Sequence, residues 1–116
     1  CPFNFFRSSY DINTNYPHTI GYNLNSTIAY QQYPTGFLSR PGCWAYPDML
    51  EVGNFPDQMN ASAQVMDQSH FSAWAIVSSP LTLGFDLTNA TTLNRVWPVI
   101  TNKEVLSVSQ SWAGHP

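Results

Sequence analysis

Charge is scarce in this chain of 116 residues: charged side chains make up 9% of it, against roughly 25% in an average soluble domain. Four Lys and Arg residues stand against seven Asp and Glu, so the chain lacks the basic surface on which nucleic acid binds. Long apolar runs are lacking too, and none approaches the ~18 residues of a membrane span. Apolar side chains nevertheless reach 43% and aromatic ones 15%, which is too much for a disordered chain. The sequence therefore predicts one globular domain, or part of one, with no nucleic-acid partner and no membrane span.

Cysteine is also sparse, since the chain contains only Cys1 and Cys43. Disulfides form in oxidising compartments, which fits a secreted protein. The two cysteines can pair with each other, or either can pair with a cysteine outside this chain. Because Cys1 is terminal, we expect it to be the one that reaches outward. The start of the chain lacks an initiator Met and a signal-peptide pattern, which predicts a mature or processed piece.

Three N-glycosylation sequons offer another source of solubility for a surface that is poor in charge. They lie at Asn25, Asn60 and Asn89, and none is blocked by proline. A single sequon is expected by chance in a chain of this length, whereas three favour a glycoprotein of the secretory pathway. We therefore predict a secreted, extracellular or lysosomal–vacuolar location.

Short apolar runs alternate with helical patterns along the chain. Strands are predicted at residues 3–6, 43–45 and 81–87. Helices are predicted around the stripe of Ile20, Leu24 and Ile28, over residues 62–79 before Pro80, over residues 91–97 with a break near Pro98, and over residues 102–108. This alternation predicts an α/β fold with a parallel sheet.

Polar residues follow each predicted strand at its carboxyl end. Arg7 and Asp11 follow the first strand, Asp48 the second and Asp86 the third. Parallel α/β folds build their active sites at these positions. Simpler interpretations exist, because Asp11 can cap a helix and Asp48 can form a turn after Pro47. No Cys/His spacing suggests a metal site and no Gly-rich loop a phosphate site, so we predict neither metal nor cofactor.

Four segments resemble the motifs of one enzyme family, in order and in register. Residues 44–54 resemble a Trp-Asn-Asp-Pro-Asp-Met-Leu-x-x-Gly-Asn signature, and residues 7–12 resemble an Arg-x-x-x-Asp-Ile motif. Residues 70–81 are similar to a helix that ends in Ser-Pro-Leu, and residues 102–110 to a closing Asn-Lys-Glu-Val-Ile-x-x-Asn-Gln run. These motifs belong to glycoside hydrolase family 27, which contains the α-galactosidases and α-N-acetylgalactosaminidases.

The resemblance implies a (β/α)8 barrel followed by a small β-domain. Such a barrel takes about 250 residues. Residues 1–116 would then be the C-terminal portion of the barrel, about strands six to eight with their helices, ending before the β-domain. We expect the missing N-terminal strands to be supplied by the same polypeptide or by a second chain.

The resemblance also implies retaining hydrolysis of terminal α-linked galactose-type sugars, which makes an α-galactoside-type glycan the expected substrate. That reaction needs a nucleophile and an acid/base, two carboxyl groups about 5–5.5 Å apart. Asp11 matches the acid/base, and Arg7 matches an arginine that hydrogen-bonds the sugar. Asp48 and Met49 match residues of the pocket wall. The family's nucleophile lies in a Tyr-x-Lys-x-Asp block that this chain lacks, so we expect the chain alone to be inactive.

A second function remains open, because the signature's Asn-Asp pair is replaced here by Ala45 and Tyr46. The replacement removes an amide and a carboxylate and introduces a bulky ring. In this alternative the protein is a non-catalytic, barrel-derived glycoprotein that serves an extracellular assembly as a structural or sugar-binding module.

Overall fold

The computed structural model describes residues 1–13, 18–31, 36, 38–55 and 61–113. This part of the chain forms two strands and four helices, which are in chain order β1 (Phe5–Arg7), α1 (His18–Gln31), β2 (Trp44–Tyr46), α2 (Ala61–Ile76), α3 (Ala90–Ile100) and α4 (Lys103–Gln110). The predicted mixed α/β class is confirmed. Within the described ranges, no helix has the length and apolar character of a membrane span.

Strands β1 and β2 lie side by side in parallel, with Phe5 opposite Trp44 and Arg7 opposite Tyr46. Helix α1 connects them, as expected, because parallel strands need a long crossover connection. The Ser8 N–H donates to the Tyr46 carbonyl at 2.9 Å and continues the pairing beyond Arg7. The carboxyl ends of both strands therefore meet at one edge of the sheet.

A disulfide joins Cys1 to Cys43, with Cα atoms 5.7 Å apart. The expectation that Cys1 reaches outward to another cysteine is therefore wrong. The bond ties together the residues that precede β1 and β2, because the parallel pairing brings the amino ends of the two strands side by side.

Residues 81–87 do not form the third strand that their alternation predicts. Leu83 pairs with Leu50 through a single parallel bridge, for which Leu50 makes two backbone hydrogen bonds of 2.8 and 3.0 Å. The extended segment ends at Asp86, whose carboxylate accepts hydrogen bonds from the Thr88 N–H and hydroxyl and turns the chain.

Helix α2 ends at Ile76, earlier than the predicted end at Ser79. Ser78 adopts a left-handed conformation with φ 54°, and its N–H donates to the Ala75 carbonyl at 3.2 Å. The Ser79 N–H donates back to the Trp74 carbonyl at 3.0 Å. These two bonds form a Schellman motif, which satisfies carbonyls that the end of a helix leaves free.

Pro98 lies inside α3, and the predicted break near it is wrong because the helix continues to Ile100. Proline removes one N–H donor from a helix, and here the proline lies in the last turn. The Thr101 N–H closes that turn on the Trp97 carbonyl at 3.1 Å. Asn102 then begins α4, and its side chain accepts two backbone N–H bonds.

Helix α2 is central to the packing, since α3 and α4 both contact it. The core is one cluster of buried apolar residues drawn from α1, α2, α3, the segments after the two strands and the segment between α2 and α3. Its members are Ile12, Ile20, Leu50, Val52, Phe55, Ala63, Phe71, Trp74, Phe85 and Val96.

His70 lies in this core and is only 1% exposed. Its Nε2 accepts the Glu51 N–H at 2.9 Å, so the ring proton is on Nδ1. The ring packs edge-on against Trp74, with centroids 4.2 Å apart. Burial lowers the pKa of His70 to about 4, because a charged imidazolium would lose its hydration.

Acidification is expected to destabilise the fold through His70. Its pKa is about 4 in the folded protein and ~6.5 in an unfolded chain, so the unfolded state binds the proton first. Stability is therefore lost as the pH falls from about 6.5 to 4, and the loss at pH 4 is about 3 kcal/mol. The measurement is denaturant unfolding of the complete protein at several pH values, beside a His70→Gln variant whose amide can still accept the Glu51 N–H. Parallel pH profiles of the two proteins would contradict the assignment.

Candidate active site

Arg7 joins two carboxylates at the carboxyl ends of the parallel strands. Its Nη2 lies 2.7 Å from Asp11 Oδ1 and 2.7 Å from Asp48 Oδ2. Arg7 is the last residue of β1, Asp11 lies in the segment that follows it, and Asp48 comes shortly after β2. The structure therefore brings together three residues that the sequence assigned to one site.

The Asp48 carboxylate is held from several directions and its side chain is only 12% exposed. Its Oδ2 accepts the Ile12 N–H at 2.8 Å and its Oδ1 accepts the Met49 N–H at 2.9 Å. The Trp74 indole N–H donates to the Asp48 carbonyl at 2.8 Å. Asp48 has a φ of 96°. Non-glycine residues adopt this left-handed conformation mainly where the surrounding structure enforces it. Asp48 is thus a fixed anchor for Arg7.

Asp11 differs from Asp48 because it is open to solvent. Its side chain is 95% exposed, and that of Arg7 is 42% exposed. An ion pair this exposed contributes little to stability. The carboxylate of Asp11 is therefore accessible to a ligand, while the Arg7 Nη2 that contacts it is also held by the buried Asp48.

Met49 contributes its backbone N–H to the site, while its side chain packs against Gly84. A methyl group at Gly84 would lie 2.9 Å from the Met49 sulfur and 2.6 Å from the Leu50 carbonyl oxygen. Position 84 therefore accepts only glycine without a shift of the backbone. The side chain of Met49 is partly buried against the core.

Comparison with known proteins identifies the family. The family model described as alpha galactosidase A matches residues 2–111. Alpha-galactosidase 2 of Arabidopsis thaliana is 34% identical over 111 residues, which are 96% of this chain and 25% of that protein. The alpha-galactosidase of Cyamopsis tetragonoloba is 32% identical over 96% of this chain and 24% of its own length. Alpha-galactosidase A of Cellvibrio japonicus is 38% identical over 64% of this chain and 16% of its own length.

The chain belongs to the α-galactosidase family, glycoside hydrolase family 27. The family resemblance drawn from the four motifs is confirmed. The chain spans about a quarter of the length of the first two of these relatives.

Tyr46 distinguishes this α-galactosidase-family chain from the family signature. Burial raises the pKa of its phenol, and the Asp48 carboxylate acts in the same direction. A hydrogen bond to the Thr82 side chain and the Arg7 charge act in the opposite direction. The ring packs edge-on against Phe5, with centroids 5.4 Å apart. Tyr46 therefore stands beside the charged residues as a neutral aromatic group.

Three residues that hold this site in place were not predicted from the sequence: Ser9, Asn23 and Trp74. The Ser9 hydroxyl donates to the Pro47 carbonyl at 2.6 Å, which joins the segments that follow the two strands. Asn23 occupies the buried face of α1 and is 1% exposed. Of these three residues, only Trp74 could have been suspected from the sequence. It is a large indole on the apolar face of α2, and a buried indole N–H needs a hydrogen-bond partner.

Among the described residues, no group of three or more His, Cys, Asp or Glu side chains is placed to hold a metal ion. The buried acidic residue Asp67 has a different partner, since it pairs with Arg95. The charged side chains of the site bind one another through the guanidinium of Arg7.

Two of the three predicted glycosylation positions, Asn25 and Asn89, are exposed. Asn89 caps α3, and its Oδ1 accepts the Thr92 N–H at 3.1 Å. A glycan attaches to the amide nitrogen, which that bond does not use. Asn60 lies outside the described residues.

Proposed function

We propose that this chain supplies the acid/base part of the sugar site in a retaining α-galactosidase-type glycoside hydrolase. The observation that carries the proposal is the bridge that Arg7 makes between Asp11 and Asp48, at the carboxyl ends of two parallel strands. Membership of the α-galactosidase family supports it.

The geometry supports distinct roles for the two carboxyl groups. Asp11 protonates the glycosidic oxygen as the leaving group departs, and then takes a proton from the water that releases the sugar. Arg7 orients Asp11 and donates to a sugar hydroxyl. Asp48 holds Arg7 and, together with Met49, forms part of the wall around the sugar. The nucleophile comes from outside this chain.

In this proposal the chain is the C-terminal portion of a (β/α)8 barrel. Phe3 is 69% exposed and Phe5 is 50% exposed, although large aromatic side chains next to a sheet are normally covered. Unpaired sheet edges also favour pairing with further strands. The remaining barrel strands, from the same polypeptide or a second chain, would cover both features.

The stereochemistry of hydrolysis tests this proposal. The complete protein is incubated with p-nitrophenyl α-galactoside, and the released sugar is followed by proton NMR. A retaining enzyme releases α-galactose first, which then equilibrates with the β anomer. Early appearance of β-galactose would contradict the retaining mechanism. If sugar is released only from p-nitrophenyl α-N-acetylgalactosaminide, the substrate is a terminal α-N-acetylgalactosamine and not a terminal α-galactose.

Tyr46 favours a second candidate, a sugar-binding module without catalysis. Its ring stands where the family signature has a polar group, next to Arg7 and Asp48. Aromatic rings bind sugars by stacking, and such binding requires no proton transfer. Galactose binding by the complete protein in calorimetry, without hydrolysis over days, would favour this candidate.

We also propose that the protein is a glycoprotein that reaches a secreted, extracellular or lysosomal–vacuolar location. Asn25 and Asn89 are exposed. Because the chain carries little charge, attached glycans would supply much of its solubility. Peptide mass mapping of protein from its native source should find a glycan on at least one of Asn25, Asn60 and Asn89. Treatment with an N-glycosidase should then remove that mass and lower solubility. Three unmodified sites would contradict the secretory route.

A further inference from the structure

The buried face of α1 carries polar side chains beside the predicted apolar residues Ile20 and Leu24. Asn23 is 1% exposed and Thr27 is 0% exposed, whereas Ile28, part of the predicted stripe, is 38% exposed. Burying an amide costs free energy unless it is hydrogen-bonded. The position of Asn23 therefore requires partners, and these lie in the candidate site.

The side-chain amide of Asn23 connects the two segments that hold the carboxylates. Its Nδ2 donates to the Tyr10 carbonyl at 3.1 Å and to the Pro47 carbonyl at 2.9 Å. Tyr10 directly precedes Asp11, and Pro47 directly precedes Asp48. An amide nitrogen carries two protons in a fixed planar arrangement, so this rigid group sets the spacing of both segments together with the Ser9 hydroxyl, which donates to the same Pro47 carbonyl.

We propose that Asn23 is a positioning residue, which fixes Asp11 and Asp48 relative to each other around Arg7. This inference rests on the proposed hydrolase function. The Ile12 N–H donates to Asp48 Oδ2 at 2.8 Å, and this bond crosses between the same two segments. Loss of the Asn23 amide allows the segments to separate, which moves the acid/base away from the arginine that orients it. A displacement of about 1 Å at a catalytic group can cost 100-fold in rate.

Asn23→Leu tests the proposal, because leucine is similar in size and cannot donate. Asn23→Asp is the second variant, since its carboxylate keeps the shape but presents oxygen to both carbonyls. The matched control is Thr27→Val, one helical turn further along the same buried face. Because this change also removes the sequon of Asn25, every protein in the comparison carries Asn25→Gln. The Thr27 hydroxyl bonds to the Ser8 hydroxyl at 2.9 Å and to the backbone carbonyl of Asn23 at 3.3 Å, and neither bond involves the Asn23 side chain or the carbonyls of Tyr10 and Pro47.

Two measurements on the complete protein separate positioning from simple stability. The first is kcat and KM for p-nitrophenyl α-galactoside. The second is hydrogen–deuterium exchange of the peptide over residues 9–13, which contains the Ile12 amide. We expect both Asn23 variants to lower kcat more than tenfold with KM changed less than threefold, and to speed exchange in that peptide. Thr27→Val should lower the unfolding temperature while leaving kcat and this exchange within twofold.

The inference is overturned if the Asn23 variants lower kcat no more than Thr27→Val does, or if exchange over residues 9–13 is unchanged in them. If Asn23→Leu does not fold, Asn23→Asp decides by the same two measurements. An unmodified protein that hydrolyses no α-galactoside overturns the proposed function instead. The exchange measurement then still decides whether Asn23 holds the two segments together.

Discussion

Replacing Asp11 by Asn in the complete protein should lower kcat for α-galactosides by about 10²–10⁴-fold, the usual contribution of a general acid/base. The amide has the shape of the acid but can neither give nor take the proton. The loss should be larger for a galactoside with a poor leaving group, such as an alkyl or sugar alcohol, than for p-nitrophenyl α-galactoside. The side chain is 95% exposed, so the change should leave the free energy of unfolding nearly unaltered.

Steady-state kinetics as a function of pH makes this prediction specific. The fall in kcat/KM at high pH, which reports loss of the proton from the acid, should disappear in Asp11→Asn. Glu104→Gln is the control, because it removes an exposed carboxylate from the first turn of α4, away from the site. More than half of the normal activity in Asp11→Asn would refute the acid/base role.

Asp67→Ala should destabilise the protein by about 3–5 kcal/mol, the cost of removing one partner from a buried ion pair. The side chain of Asp67 is 1% exposed and that of its partner Arg95 is 10% exposed. The other carboxylate oxygen of Asp67 accepts the Gly53 N–H at 2.8 Å. In the described part of the chain, Arg95 Nε and Nη2 have no hydrogen-bond partner, so the variant leaves a buried and uncompensated charge. The loss is a large fraction of the whole stability of a typical domain, about 5–15 kcal/mol.

Denaturant unfolding of the complete protein measures this loss. Asp86→Ala is the control, since Asp86 is exposed and its carboxylate accepts hydrogen bonds from the nearby Thr88 N–H and hydroxyl. The double variant Asp67→Leu with Arg95→Met should regain most of the lost stability, because apolar replacement of both partners is often neutral. If Asp67→Ala costs no more than Asp86→Ala, the pair is not important for folding.

The four helices and two of the three predicted strands could be predicted from the sequence, whereas the third strand and several element ends could not. Apolar periodicity indicates α2, because it reports which face of a helix is buried. It cannot reveal that Ser78 adopts a left-handed conformation, since a serine there depends on two backbone hydrogen bonds to α2. Alternation over residues 81–87 predicts a strand, but strand formation also needs a paired neighbour, and only Leu83 has one.

For the site, the sequence indicated the charged residues and missed those that hold them. Arg7, Asp11 and Asp48 are recognisable because each follows a predicted strand and belongs to a family motif. Asn23 lies on α1, a different element from all three, and a polar residue between Ile20 and Leu24 gives no indication of its partners. Its hydrogen bonds are made to backbone carbonyls, which every residue possesses, so no pattern of residue types could reveal them.

The bond between Cys1 and Cys43, which lie 42 residues apart, makes the first part of the chain a closed covalent ring. In the oxidised unfolded chain the two strand-forming segments stay near each other, and ring closure of this size removes about 4 kcal/mol of conformational freedom from that state. A protease that cuts once inside the ring releases no fragment, because the cut opens the loop and leaves one connected molecule. The segment that carries Arg7 and Asp11 thus remains joined to the segment that carries Asp48 until a reductant separates them.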